Sequence, residues 1–242
     1  MRGPGALSIP LAAFLYPGKG RQDVCLTGAI SIALSIPSIH QPIARYYRRR
    51  RFRRFWKAFQ LTPQSRVLDV GGYEYYWSFF DRLPRVTIVN LEPPASRNGR
   101  FEWVIADAGR LPFRDGAFDV AFSNSVIEHI SAPADRAAFA SEIVRVGRRY
   151  YVQTPSRWFP VEPHLMTPFI HYLPRGVQRK LLRNFTVWGV LVRPTPQGCD
   201  AFLRDIRLMT ASELGRLFPS AEIWRERALG LVKSLIAVSR SS

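Results

Sequence analysis

Three acidic residues sit where short apolar runs end. Asp69 lies in RVLDV (66–70), Glu92 follows VTIVNL (86–91), and Asp107 follows FEWVIA (101–106), at separations of 23 and 15 residues. An acid at the carboxyl end of a buried strand faces the crevice of an open sheet, where it accepts hydrogen bonds from ligand hydroxyls or amines. Gly71 and Gly72 follow the first acid, and Glu92 stands about where dinucleotide sites place the acid that grips a ribose diol. Two further places hold groups that can move a proton. Glu128 and His129 end the stretch SNSVIEH (123–129), and Glu162-Pro163-His164 lies in SRWFPVEPHLMTPF (156–169). Histidine titrates nearest neutral pH, which suits a general base. The alternatives are that Glu128 and His129 only cap a loop, and that the second stretch only covers a sheet edge.

The loop after Asp69 reads Gly-Gly-Tyr-Glu-Tyr-Tyr-Trp (71–77) and contains no lysine or arginine. It is neither GxGxxG nor a Walker motif, and its tyrosines obstruct the bare amides that a pyrophosphate needs. A ligand with a ribose, an adenine, a cationic amino-acid tail and no phosphate fits these acids and aromatics. S-adenosylmethionine has that chemistry. A tyrosine ring at Tyr73 or Tyr75 could attract its sulfonium, whereas Trp77 reads as helix-to-sheet packing.

These residues need a scaffold that brings strand ends together. Arg66–Val70, Val86–Leu91, Phe101–Ala106, Phe118–Ser123 and Tyr150–Gln153 read as strands, with helices expected over Tyr75–Arg82 and Ala134–Val146. Short apolar strands alternating with helices predict an α/β fold. The expected form is a Rossmann-like, doubly wound, mostly parallel sheet between two helical layers. The chain of 242 residues is 47% hydrophobic and 22% charged, a globular composition that excludes collagen, a coiled coil or a multi-span membrane protein. Cys25 and Cys199 cannot build a disulfide scaffold, and no local Cys/His spacing suggests a metal, so none is expected. A reducing, cytoplasmic setting follows, with a membrane-peripheral placement as the alternative.

The net charge is +17, and residues 1–57 supply +10 of it. Eight bases and no acid lie between Arg45 and Lys57, interleaved with aromatics. Phe52, Phe55, Trp56 and Phe59 recur at helical spacing, so residues 45–60 read as a basic amphipathic helix packed on the domain. Peripheral contact with an anionic membrane is a second use of this run, and nucleic acid a third and weaker one. Residues 1–44 read as a poorly ordered or membrane-peripheral extension. Val24–Ala44 lacks charge, but Pro37, His40, Gln41 and Pro42 interrupt it before it is long enough to span a bilayer.

The segments VLDVGGYEYYW (67–77), LEPP (91–94), ADAGRLPFRDGAFDVAFSNSVIEHI (106–130) and the tail 206–238 resemble class I S-adenosylmethionine-dependent methyltransferases, in particular the bacterial type 11 group. The resemblance implies a methyltransferase domain over 45–242, a helix and a closing antiparallel strand pair in the tail, and an acceptor-side insert over 156–199. It also implies site roles. Asp69, Gly71 and Gly72 would line the methionine and ribose side, and Glu92 would hold the ribose hydroxyls. Asp107 and Ala108 would meet the adenine, and Ser123 and Asn124 would close the pocket under the sulfonium. His129, Glu128 and His164 are then the candidate catalytic residues. Tyr73 and Tyr75 depart from the family pattern, which has further glycines there. The expected activity is methyl transfer from S-adenosylmethionine to a small-molecule or lipid- or glycan-linked acceptor. The alternatives are an RNA methyltransferase and a cofactor-binding but inactive protein. A NAD(P) enzyme is disfavoured because the glycine fingerprint is absent.

Overall fold

The computed structural model describes residues 37–77, 80, 82–93 and 99–240, without the side chains of residues 37–45, 75 and 76. The extension expected over 1–44 therefore falls outside the described residues up to position 36. Helix α1 (Pro37–Phe59) begins eight residues before the predicted start and includes the whole arginine-rich run. Then come β1 (Arg66–Val70), the short α2 (Glu74–Trp77), β2 (Arg85–Asn90), β3 (Glu102–Ile105) and β4 (Phe118–Asn124). A 3-10 turn (Ile127–His129) leads to α3 (Pro133–Val146) and β5 (Gly147–Pro155). The tail supplies α7 (Ala211–Leu217), β8 (Ala221–Ala228) and β9 (Leu231–Ser239).

Seven strands form one sheet in the order β3-β2-β1-β4-β5-β9-β8. The first five are parallel, and β9 runs antiparallel to both β5 and β8. This is the predicted doubly wound sheet with its closing antiparallel hairpin. The order reverses between β1 and β4, which places a crevice at their carboxyl ends. Because side chains alternate along a strand, Leu68 and Val70 pack with Phe139, Ile143 and Val146 of α3 and Leu214 of α7. Val67, Val120 and Phe122 face the other layer, where Phe52, Phe55 and Phe59 of α1 meet Trp77 and Tyr151. Burying each of these aromatics contributes roughly 1.5–3 kcal/mol.

Residues 156–205 fold into a cap with its own apolar centre. It holds the small hairpin β6 (Val161–Glu162) and β7 (Thr167–Pro168), then α4 (Arg175–Phe185), α5 (Val187–Val192) and α6 (Pro196–Asp205). Leu165, Ile170, Leu182, Trp188, Cys199 and Phe202 pack together inside it. The insert expected over 156–199 thus runs on to Asp205.

One arginine of the basic run is internal. Arg51 is 8% exposed. It donates from Nη2 to Glu226 Oε2 at 2.6 Å and Ser234 Oγ at 3.3 Å, and from Nη1 to Asn124 Oδ1 at 2.7 Å and Gln153 Oε1 at 2.9 Å. The neighbouring Arg51 charge holds the Glu226 carboxyl below its usual range despite burial. Removing one partner of a buried pair strands the other charge. Arg51→Ala should cost about 3–5 kcal/mol in urea denaturation, and adding Glu226→Gln should cost much less than its own single effect. Simple additivity would refute this coupling.

Candidate active site

The acids predicted at strand ends occupy the carboxyl edge, but not in one role. Asp69 shares the face of β1 with Val67, toward the aromatic layer, and is fully buried. Trp77 Nε1 donates to its Oδ2 at 2.7 Å, and Oδ1 has no hydrogen-bond partner among the described residues. Burial pushes this carboxyl up to about 7, against the lowering effect of the Trp77 bond. The glycine pair is shaped by this carboxyl. A methyl group on Gly72 would lie 1.9 Å from Asp69 Oδ2, and Gly71, at φ +74°, sits directly against Val126. Asp69 therefore lies beneath the loop, in contact with it.

Glu92 and Asp107, by contrast, are exposed at the ends of β2 and β3. Asp107 Oδ1 accepts the Gly109 N–H at 2.7 Å, which shapes the turn carrying the half-buried Ala108. Beside them Leu91 and Ile105 leave apolar surface exposed, 49% and 48% respectively. These two were not singled out from the sequence, where each reads as one more residue of an apolar run. Register brings the two strand ends together, since Asn90 pairs with Ile105 and Asn90 Nδ2 donates to the Gly72 carbonyl at 3.3 Å. The edge offers two carboxylates, two apolar side chains and a glycine turn free of basic residues. A ribose, a flat base and a cationic tail fit that set of acceptors and apolar surface.

Ser123 and Asn124 are buried and internally bonded. Ser123 Oγ donates to the Val70 carbonyl at 2.9 Å, tying β4 to β1, and Asn124 answers to Arg51. Tyr73 is half-buried next to the glycine pair, and the side chains of Tyr75 and Tyr76 lie outside the described residues. Trp77 is fully buried between Phe52 and Phe122, the packing role expected of it.

The two proton-moving candidates form one cluster. Glu128 is completely buried on the 3-10 turn after β4, where its Oε2 accepts from Thr154 Oγ1 at 3.0 Å. His129 and His164 stand ring to ring at 5.0 Å with perpendicular planes, and Glu162 Oε1 binds His164 Nδ1 at 2.7 Å. Glu162 also accepts the Leu165 N–H, which fixes its carboxylate. The turn is held from outside, because Arg207 N–H donates to the Glu128 carbonyl at 2.8 Å. Burial raises Glu128 to about 7. Burial, with His164 adding to it, lowers His129 to about 3. Burial alone would lower His164, but the Glu162 and Glu128 charges raise it above the ordinary histidine value.

The cluster adjoins the glycine loop through one residue. Val126 packs on Gly71, and its carbonyl accepts the His129 N–H at 2.9 Å. The carboxyl edge therefore carries two neighbouring groups: exposed acids and glycines after β1–β3, and the largely buried histidine cluster between β4, β5 and the cap.

Comparison with known proteins bears on the fold and on one segment of the chain. Residues 68–149 match a family model described as a methyltransferase domain. Over that segment the chain is similar to a methyltransferase domain, and its whole-chain likeness to solved methyltransferases is one of fold. An uncharacterized protein of Mycobacterium tuberculosis is 27% identical over 170 residues, covering 61% of this chain and 58% of that protein. An uncharacterized methyltransferase of Mycobacterium sp. is 35% identical over 103 residues, covering 38% and 39%. The match thus spans less than two thirds of these curated relatives. Among solved structures, the 1,6-didemethyltoxoflavin-N1-methyltransferase of Burkholderia thailandensis, with bound 1,6-didemethyltoxoflavin and S-adenosylhomocysteine, superposes with a TM-score of 0.52. Its sequence identity is 15%, with 93% of each chain covered. A Pyrococcus horikoshii protein gives the same TM-score at 15% identity, covering 84% of this chain and 92% of that one. At such identities the likeness is one of fold.

The buried Asp69 makes stability pH-dependent. Its folded value, about 7, lies above the ordinary 3.8, so between those two values the folded chain holds a proton that the unfolded chain has released. The contribution of Asp69 is full below that window and is lost as pH rises through it. Asp69→Asn removes this slope. The stability of the wild type relative to the variant should fall from about pH 4 to about pH 7 in denaturant titrations, and parallel profiles would refute the assignment.

Proposed function

We propose that this chain transfers the methyl group of S-adenosylmethionine to a small-molecule or lipid- or glycan-linked acceptor that enters beneath the 156–205 cap. The observation that carries the proposal is the placement at one sheet edge of exposed Glu92 and Asp107 with Leu91 and Ile105, next to the largely buried Glu128–His129–His164 cluster. S-adenosylmethionine supplies an already activated methyl group, so the chain's task is alignment and handling of the acceptor's proton. Glu92 is the residue for the ribose hydroxyls and Asp107 the residue for the adenine amine, with Leu91 and Ile105 flanking the base. Gly71 and Gly72 let the loop approach the amino-acid tail, and Asp69 supports that loop from below. Ser123 and Asn124 hold the end of β4 in place under the reacting centre. Glu128, His129 and His164 receive the proton that an oxygen or nitrogen acceptor gives up. The Burkholderia enzyme, with a small heterocycle and S-adenosylhomocysteine bound, supports a small acceptor in such a crevice.

The packing of α1 bears on the partner. Phe52, Phe55 and Phe59 are buried in the domain, so only the outer face of the run is left for another molecule. Exposed Arg49, Arg50, Arg53 and Lys57 suit electrostatic contact with an anionic membrane surface. No described helix is long and apolar enough to cross a membrane. Sedimentation with anionic liposomes that falls with salt, and falls further when these four residues are changed to Ala, is the expected behaviour. Equal sedimentation of the variant would reject this surface.

Isothermal titration should show binding of S-adenosylmethionine and none of NADH, with Glu92→Ala weakening the former about 10- to 100-fold. Labelled-methyl transfer should then deliver label to a lipid or small-molecule fraction. Label in RNA would overturn the acceptor class, and NADH binding in place of S-adenosylmethionine would overturn the reading itself.

A further inference from the structure

We propose that Glu128, His129 and His164 form a binding site for one divalent transition-metal ion. Each offers a ligand atom, and these atoms all lie within 4.8 Å of one another. Two of them are buried and converge without a partner. Glu128 Oε1 and His129 Nε2 have no hydrogen-bond partner among the described residues. One is a carboxylate oxygen, the other a ring nitrogen. Native interiors rarely leave such groups unanswered, and a cation between them satisfies both.

The third ligand is oriented as metal-bound histidines are. Glu162 Oε1 occupies His164 Nδ1 at 2.7 Å, which puts the proton there and leaves Nε2 as the free electron-pair donor. Glu162 is itself fixed by the Leu165 N–H, and the second oxygen of Glu128 is fixed by Thr154. Every proposed ligand except His129 therefore has a partner behind it that sets its direction. Two imidazoles and a carboxylate, with positions left open, suit zinc or another first-row ion and disfavour magnesium or calcium, which take oxygen ligands. A proton shared between Glu128 and His129 would satisfy those two atoms alone and would leave the Glu162–His164 arrangement without a purpose.

The sequence hides this site. His164 stands 35 residues beyond His129 in a different structural unit, so no local ligand spacing exists. The expectation of no metal rested on that missing spacing. The ligand set needs only the fold. Its use in catalysis rests on the proposed methyl transfer and would replace the cluster's own role as base: an ion here would lower the pKa of an oxygen acceptor bound at an open position, whose proton would then leave to water.

The test uses the full chain after chelator treatment, titrated with Zn²⁺ against a chromophoric competitor. One equivalent should bind. His129→Ala and His164→Ala should each abolish stoichiometric binding, and Glu162→Gln should weaken it about 10- to 100-fold. His171→Ala, outside the cluster, should bind as the wild type does. Affinity unchanged in both histidine variants, or no stoichiometric binding by the wild type, would overturn the site. Should those variants not fold, X-ray absorption on the zinc-loaded wild type decides: two imidazole ligands support the proposal and none overturns it. Zinc binding without any methyl transfer would keep the site and remove the proposed function, whereas transfer unaffected by chelation, with no zinc bound, would do the reverse.

Discussion

A single guanidinium joins elements that the chain keeps far apart. Arg51 spends its donors on Glu226, Ser234, Asn124 and Gln153, which belong to β8, β9, β4 and β5. The planar fork of arginine suits such a junction, because it presents fixed donors and loses its charge at no accessible pH. A helix that precedes the whole α/β domain in sequence is thereby locked across its sheet, with Phe52 and Phe55 pressed onto Phe122. The same bond holds Asn124 at the end of β4, immediately before the turn that carries Glu128 and His129. The position of that turn depends on a residue that belongs, by composition, to a solvated basic run.

The crevice shows a second use of buried charge. Asp69 is retained in an apolar layer with only one of its oxygens bonded among the described residues, and its burial drives it toward the neutral form at ordinary pH. Its return is geometric, because the carboxyl fills the space that a side chain at position 72 would need. Glycine at 72 is thus required by a neighbour's side chain, and glycine at 71 by a positive φ and contact with Val126. That contact couples the glycine loop to the histidine cluster through a single valine.

Much of the fold was legible. Five apolar runs became strands within a few residues of their predicted limits, and the tail formed the expected helix and antiparallel pair. Strand β5 extended to nine residues because its ends pair with β4 and β9, which periodicity within the strand cannot register. Helix α1 continued back to Pro37, past the boundary set by the charge run. The strand-end acids were legible as residues but not as roles. Asp69 and Asp107 look alike in sequence, yet one lies within β1 on its aromatic-facing side and is buried under Trp77, while the other lies past the end of β3 in an exposed turn.

The sequence alone determined the alternation of strands and helices, the acids at their ends, the glycine turn and the absence of a phosphate-binding loop. Those features are local: each depends on periodicity or on neighbours a few residues away. The tertiary structure decided that Arg51 is interior, that Leu91 and Ile105 flank the crevice, and that Glu128, His129, His164 and Glu162 are one cluster. Each of these depends on contacts between residues tens to nearly two hundred positions apart. Burial, unsatisfied polar atoms and shifted protonation exist only once those distant segments are packed together.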